Sequence, residues 1–165
     1  MATQTLRFHS VNPFTEDDIE DFEISDEAFV DRALDSADAA SRTWSATPVA
    51  ERSQRLRALA SVLRRDVDLH AAAITAEMGK TLREARAEVE KCAFVCEYVA
   101  DNAAQFLADE PAPSDSPRSL VAYEPLGTVL ACMPWNFPYW QVFRCAAPAV
   151  GAGNCVVLKH ANDVT

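Results

Sequence analysis

The sequence predicts an α/β fold in which an N-terminal helical layer is followed by one βαβ unit. Three observations carry that prediction. From about residue 26 to residue 107, apolar residues recur every three or four positions, the period of amphipathic helices. Asp109–Pro117 then breaks the pattern with three prolines, at 111, 113 and 117. Beyond it, two apolar and β-branched runs, Thr128–Met133 and Cys155–Lys159, flank a helix-like segment in the order strand, helix, strand.

Residues 1–25 read as an irregular or edge segment, best described as a solvated arm. Asn12-Pro13-Phe14-Thr15 has turn composition and Glu16 to Glu23 is acidic. The first helix is expected from about Asp26 to Trp44, with Phe29, Ala33, Ala37, Ala40 and Trp44 as its apolar stripe. Thr47-Pro48 offers a hydroxyl at an N-cap and a proline at the first position of the second helix. Leu56, Leu59, Leu63 and Val67 form that helix's apolar face; Asp66 is expected to restart it with a small kink, and Gly79 to end it.

Thr81-Leu82-Arg83-Glu84 is a capping box and opens a long helix, roughly 82–107. Its buried face is expected to hold Leu82, Ala85, Val89, Cys92, Cys96, Val99, Ala103 and Phe106. Glu84, Arg86, Glu88, Glu90 and Lys91 make a charged, solvated face. Ser119 to Glu124 suits an edge strand, ended by Pro125-Leu126-Gly127. Thr128–Met133 reads as a buried strand, Tyr139–Val150 as a helix stopped by Gly151 and Gly153, and Cys155–Lys159 as the final strand. The organisation is 1–110 helical, 111–118 a Pro-rich linker, and 119–165 an edge strand with the βαβ unit.

Composition narrows the function. The net charge is −10, and only three lysines accompany 12 arginines among 165 residues. A nucleic-acid partner requires a basic face, so none is expected. The acidic, lysine-poor chain has the composition of a protein adapted to high salt, or equally of an ordinary acidic protein. No apolar run reaches the ~20 residues of a membrane helix, and Met1 to Ser10 lacks the apolar core of a signal peptide. A cytoplasmic, reducing location is the expectation, with the five cysteines as small buried hydrophobes. Cys92 and Cys96 share a helix face, but no third ligand joins them at metal spacing, so no metal is expected.

The stretch with chemical content is Met133-Pro134-Trp135-Asn136-Phe137-Pro138. It follows a strand in a βαβ unit, at the sheet edge where such folds bind ligands. Its two prolines fix φ at their own positions and bias Met133 and Phe137 towards extended geometry. An Asn136 amide aimed from such a loop offers two donors to a developing oxyanion; alternatively the stretch is simply a rigid turn. Lys159, at the end of the second strand, points to the same edge and suits a ribose hydroxyl or a phosphate. The glycine-rich dinucleotide loop is absent after the first strand.

Taken together, Met-Pro-Trp-Asn-Phe-Pro, Val157-Leu158-Lys159, Glu124-Pro125-Leu126-Gly127 and Glu77-Met78-Gly79-Lys80 resemble the aldehyde dehydrogenase superfamily, over nearly the whole chain. Trp140-Gln141-Val142-Phe143-Arg144 and the Lys159-His160-Ala161 start resemble its succinate-semialdehyde dehydrogenases. The resemblance implies an incomplete aldehyde dehydrogenase fold, with the helical layer followed by the first βαβ of a Rossmann-like cofactor domain. It implies NAD- or NADP-dependent oxidation of an aldehyde to a carboxylic acid, with a homo-oligomer in the complete enzyme. Asn136 would donate to the oxyanion. Trp135, Lys159, His160 and Asn162 would meet the cofactor. Phe137, Gln141 and Arg144, spaced i, i+4, i+7, would line the aldehyde tunnel, and Arg144 would pair with a substrate carboxylate. Many NAD-preferring members carry Glu where this chain has Asn162, which favours tolerance of a 2′-phosphate. The family's nucleophilic cysteine, general base and glycine-rich turn are expected downstream of Thr165, so the chain reads as the N-terminal third of the enzyme. A non-catalytic remnant and a helical interaction module are the competing readings.

Overall fold

The structure, a computed structural model, describes residues 7–164. Two strands, β1 (Arg7–Val11) and β2 (Asp18–Glu23), pair antiparallel and precede four helices: α1 (Glu27–Ala46), α2 (Val49–Arg65), α3 (Val67–Met78) and α4 (Leu82–Phe106). Two-residue strands β3 (Glu110–Pro111) and β4 (Leu120–Val121) pair antiparallel. The chain then forms β5 (Thr128–Cys132), α5 (Pro138–Gly151) and β6 (Cys155–Lys159), with β5 and β6 parallel, so the expected βαβ unit is present.

The N-terminal segment departs from the solvated arm expected for it. Asn12 makes the turn by accepting the Phe14 N–H on Oδ1 at 2.9 Å, and Phe8 stacks across the hairpin on Phe22 with ring centroids 5.4 Å apart. Ser10 is fully buried and donates to Glu77 Oε1 at 2.6 Å, which fastens the hairpin to the end of α3. Gly79 closes α3 at φ +77°, and Pro13 from the hairpin turn lies 3.0 Å from where a β-carbon would stand, so a side chain there would be both strained and crowded.

The helix restart at Asp66 is present as a break between α2 and α3. Thr47 does something other than the capping expected of it. Its hydroxyl donates back to the Thr43 carbonyl at the end of α1, and Pro48 is the residue whose carbonyl accepts the first bonds of α2. The Thr81 box forms: Thr81 Oγ1 accepts the Glu84 N–H at 3.3 Å and donates to Glu84 Oε2 at 2.7 Å. Instead of a plain linker, residues 110–121 fold back as the β3–β4 hairpin, which exposed Pro111 tolerates because an edge strand needs no N–H there.

The core is helical. Leu56, Ala60 and Leu63 of α2, Ala71 and Ile74 of α3, and Ala85, Val89, Cys92, Ala93, Cys96 and Ala100 of α4 meet Ala147 of α5. Small residues dominate the α4 seam, so the helices approach closely, and bulk comes from half-buried Tyr139, Trp140 and Phe143. Leu59, Leu82 and Phe106, expected inside, are exposed because the seam centres on Ala60 and Ala93. The β5 strand is buried on one side only. Val129 and Ala131 face inward, while Leu130 is 65% exposed. The α1 stripe lies along β6 across an open groove of about 720 Å³ lined by Phe29, Ala33, Ala37, Trp44, Val156 and Leu158.

Candidate functional site

The site residues lie at the C-terminal ends of the two parallel strands. Register sets Cys132 opposite Lys159, and the Met133 N–H extends the ladder to the Lys159 carbonyl at 3.0 Å. The chain leaving β5 is Met133–Phe137, irregular and largely exposed, and Pro138 starts α5 at its first position. Trp135, Asn136 and Phe137 are all exposed. The Asn136 amide therefore stands at the sheet edge, free to meet a ligand.

A buried ion pair and a buried arginine from the helical layer hold the two ends of α5 in place. At its N-terminus, the N-cap is Phe137, whose side chain cannot accept a hydrogen bond. Glu88 of α4 takes that role from outside the helix. Its Oε1 accepts the N–H groups of Tyr139 and Trp140 at 3.0 and 2.9 Å. Its Oε2 pairs with the Lys80 ammonium, and the two side chains are 2% and 8% exposed. Pro138 has no N–H, and the Gln141 N–H bonds the Phe137 carbonyl, so every amide of the first turn is satisfied. A carboxylate at a helix N-terminus is also the favourable charge for the helix dipole. At the far end, buried Arg52 donates to the Gly151 carbonyl at 3.0 Å, the matching cation at the C-terminus. Burial lowers the Arg52 pKa from its usual value.

Glu88 corrects the sequence reading, which placed it on a solvated face. Its spacing in the helix is shared with Ala85 and Cys92, and that three-to-four-residue relation to buried positions was the signal available. Lys80 was legible only as part of Glu77-Met78-Gly79-Lys80. Its ammonium lies 3.4 Å from the Asn136 carbonyl oxygen and 3.7 Å from the centroid of the Phe137 ring.

On the β6 side, the Lys159 ammonium is exposed and donates to Asn162 Oδ1 at 2.9 Å. That bond leaves the Asn162 amide N–H groups and the remaining ammonium protons as donors, a set suited to hydroxyl or phosphate oxygens. His160 donates from Nδ1 to the Ala161 carbonyl at 2.8 Å and packs against Phe8 with ring centroids 6.2 Å apart. The structure thus brings Lys159 and Asn162 together, and uses His160 to tie the strand end to the hairpin. Along α5, Phe137, Gln141 and Arg144 share one face, with Arg144 exposed. Trp140 adjoins them, and the Lys91 ammonium lies 4.0 Å from its ring. Phe137 and Trp140, with Met78, Lys80, Ala87 and Lys91, wall a groove of about 440 Å³.

The two cysteines of α4 are not poised for attack. Cys92 and Cys96 are buried in the core, and burial pushes both thiols up, Cys96 to about 11. Cys145 and Cys155 are partly buried, whereas Cys132 is exposed on the open face of β5, against the packing role expected of it.

The sequence profile of the "Aldehyde dehydrogenase family" matches residues 1–165. A protein of Synechocystis named as a probable NADP(+) succinate-semialdehyde dehydrogenase is 46% identical over 155 residues, covering 94% of this chain and 34% of its own length. The crystal structure of succinic semialdehyde dehydrogenase from Streptococcus pyogenes with NADP+ superposes with a TM-score of 0.89 at 35% identity, over 94% of this chain and 34% of that one. A NAD-dependent benzaldehyde dehydrogenase from Corynebacterium glutamicum superposes at 0.90 with 29% identity, over 96% of this chain and 35% of its own. The chain spans about a third of the length of the relatives it matches.

Proposed function

Because the chain belongs to the aldehyde dehydrogenase family, we propose that it forms the N-terminal third of an enzyme that oxidises succinate semialdehyde to succinate with NADP. The observation that supports this most is the placement of Asn136. It is an exposed amide at the end of β5, on a loop fixed by Pro134 and Pro138, beside the strand end that carries Lys159. In this reading 1–110 is the helical part, 111–118 the connection, and 119–165 the strand of an oligomer contact and the start of the cofactor domain.

Asn136 donates to the oxyanion that forms when a thiolate adds to the aldehyde carbonyl. A donor already aimed there stabilises the charge as it develops and needs no reorganisation. NADP, when bound, would supply the hydride acceptor for the oxidation. Lys159 and Asn162 would hold its adenosine ribose and 2′-phosphate; their own contact is a neutral amide with an ammonium, so no carboxylate of the pair repels the phosphate. Trp135 and His160 line the cofactor side. Phe137, Gln141 and Arg144 line the aldehyde approach, and the Arg144 guanidinium binds the far carboxylate of the semialdehyde. The attacking thiol and the base are not supplied by the residues of this site.

The gene product that carries this chain is tested for NADPH formation from succinate semialdehyde. Turnover with NADP exceeding that with NAD is the expected result. Asn136→Ala lowers kcat by about 10²–10³ with the KM for NADP unchanged. Arg144→Ala raises the KM for succinate semialdehyde roughly tenfold to a hundredfold and leaves a neutral aldehyde unaffected. Absence of turnover with either cofactor would leave the chain a non-catalytic remnant.

A further inference from the structure

Resting on the oxidoreductase reading, we infer that Lys80 and Glu88 are positioning residues that set the orientation of Asn136. The prolines alone cannot do this. Pro134 and Pro138 fix their own φ and restrict Met133 and Phe137, but they leave Trp135 and Asn136 their backbone freedom. The peptide plane between Asn136 and Phe137 is one of the two that flank the Asn136 Cα and so help set where its side chain points. That plane is held by its carbonyl oxygen, which accepts from the Lys80 ammonium at 3.4 Å.

The remaining contacts of the pair fall on the same segment. The Lys80 ammonium lies 3.7 Å from the centroid of the Phe137 ring, and Glu88 Oε1 accepts from Tyr139 and Trp140. Four of the five residues from Asn136 to Trp140 therefore touch one buried ion pair, and Pro138 between them has no N–H to offer. Because the pair is almost fully buried, it is tightly held, and its geometry passes to the loop. Both charged groups are turned into their own pair and almost fully buried, so in this inference the pair acts through Asn136 and not on the substrate.

A pair that only filled the helix seam would change folding and nothing else when altered. The test uses the gene product that carries this chain, with Lys80→Met, Lys80→Arg and Glu88→Gln assayed well below each variant's melting temperature. Glu88→Gln keeps an oxygen for the two N–H groups but loses the charge that holds Lys80; it decides the matter alone where Lys80→Met does not fold. Expected are a kcat lowered about tenfold to a hundredfold in Lys80→Met and Glu88→Gln, unchanged KM for aldehyde and NADP, and recovery to near the parent rate in Lys80→Arg. Amide hydrogen exchange at Asn136 and Phe137 rises in the same two variants. A folded Lys80→Met or Glu88→Gln protein with the parent kcat overturns the inference while the oxidoreductase reading stands. An unaltered protein that oxidises no aldehyde overturns both.

Discussion

Cys92 and Cys96 show how packing sets the chemistry of a single group. Each sits on the face of α4 that meets α2, α3 and α5, and each is fully buried. Burial disfavours the thiolate, and the Glu88 charge beside Cys92 and the Glu97 charge beside Cys96 oppose it further. The folded-state pKa is raised, so the folded protein keeps its thiol protons where the unfolded chain releases them. Stability contributed in this way is fully present below the ordinary thiol value of 9.0 and is lost as pH rises towards about 11, where Cys96 titrates in the folded state. The melting temperature of the chain is therefore expected to fall across that window, and the fall is expected to flatten in a Cys92→Ala, Cys96→Ala variant. Equal slopes in the two proteins would place the alkaline sensitivity elsewhere, Tyr139 being next, since burial raises its hydroxyl too. These thiols were readable as packing residues because they fall on the apolar period of a long helix. Glu88 lies on the same face and was misread, because periodicity reports which side of a helix is covered but not whether a charge placed there has a partner. Its partners, Lys80 and two amides of α5, come from segments 8 to 52 residues away.

At the scale of elements, α5 is where the fold and the site depend on each other. Its first turn carries the loop of Asn136, and its last turn is received by Arg52 of α2 and by the Trp44 indole, which donates to the Val150 carbonyl at 3.0 Å. Asn154 then accepts the N–H groups of Leu126 and Gly127 at 2.7 and 3.1 Å, locking the end of the helix to the start of β5. Close approach is what allows this. A β-carbon on Gly151 would stand 2.6 Å from Val99 and 3.4 Å from Leu56. Gly151→Ala is expected to destabilise the chain by about 1–3 kcal/mol through overpacking, measured as a lower urea midpoint with unchanged slope. Gly151→Ala with Val99→Ala is expected to recover part of that loss; no recovery would mean that the backbone of α5 cannot shift at all. The sequence marked Gly151 as a helix stop, and α5 ends on it. Helices, their order and the βαβ unit were legible because each is a local pattern. The β1–β2 hairpin was not: its strands alternate acidic with apolar residues weakly, and its stability comes from the Phe8–Phe22 stack and the Ser10 contact with Glu77.

For the whole molecule, the determining feature is an apolar surface that the 165 residues leave open. A parallel sheet is ordinarily covered on both faces. Here β5 turns Leu130 outward, Leu158 is 43% exposed on β6, and Phe29 and Val30 of α1 are also exposed. Exposed apolar surface of this kind drives association. The net charge of −10 opposes it, because two copies repel at long range. The two effects separate by salt: screening shortens the reach of the repulsion to about 10 Å at 0.1 M and about 3 Å at 1 M, while apolar contact is untouched or strengthened. The chain prepared by itself is therefore expected to elute as oligomers in light-scattering chromatography, with the oligomer share growing as sodium chloride rises. Leu130→Gln is expected to return it towards monomer, since it removes an apolar side chain from the open face without altering the core. A monodisperse, cooperatively melting monomer at every salt concentration would show that the open face is too small or too divided to bind a second copy. Association that weakened with salt would assign the contact to ion pairs instead.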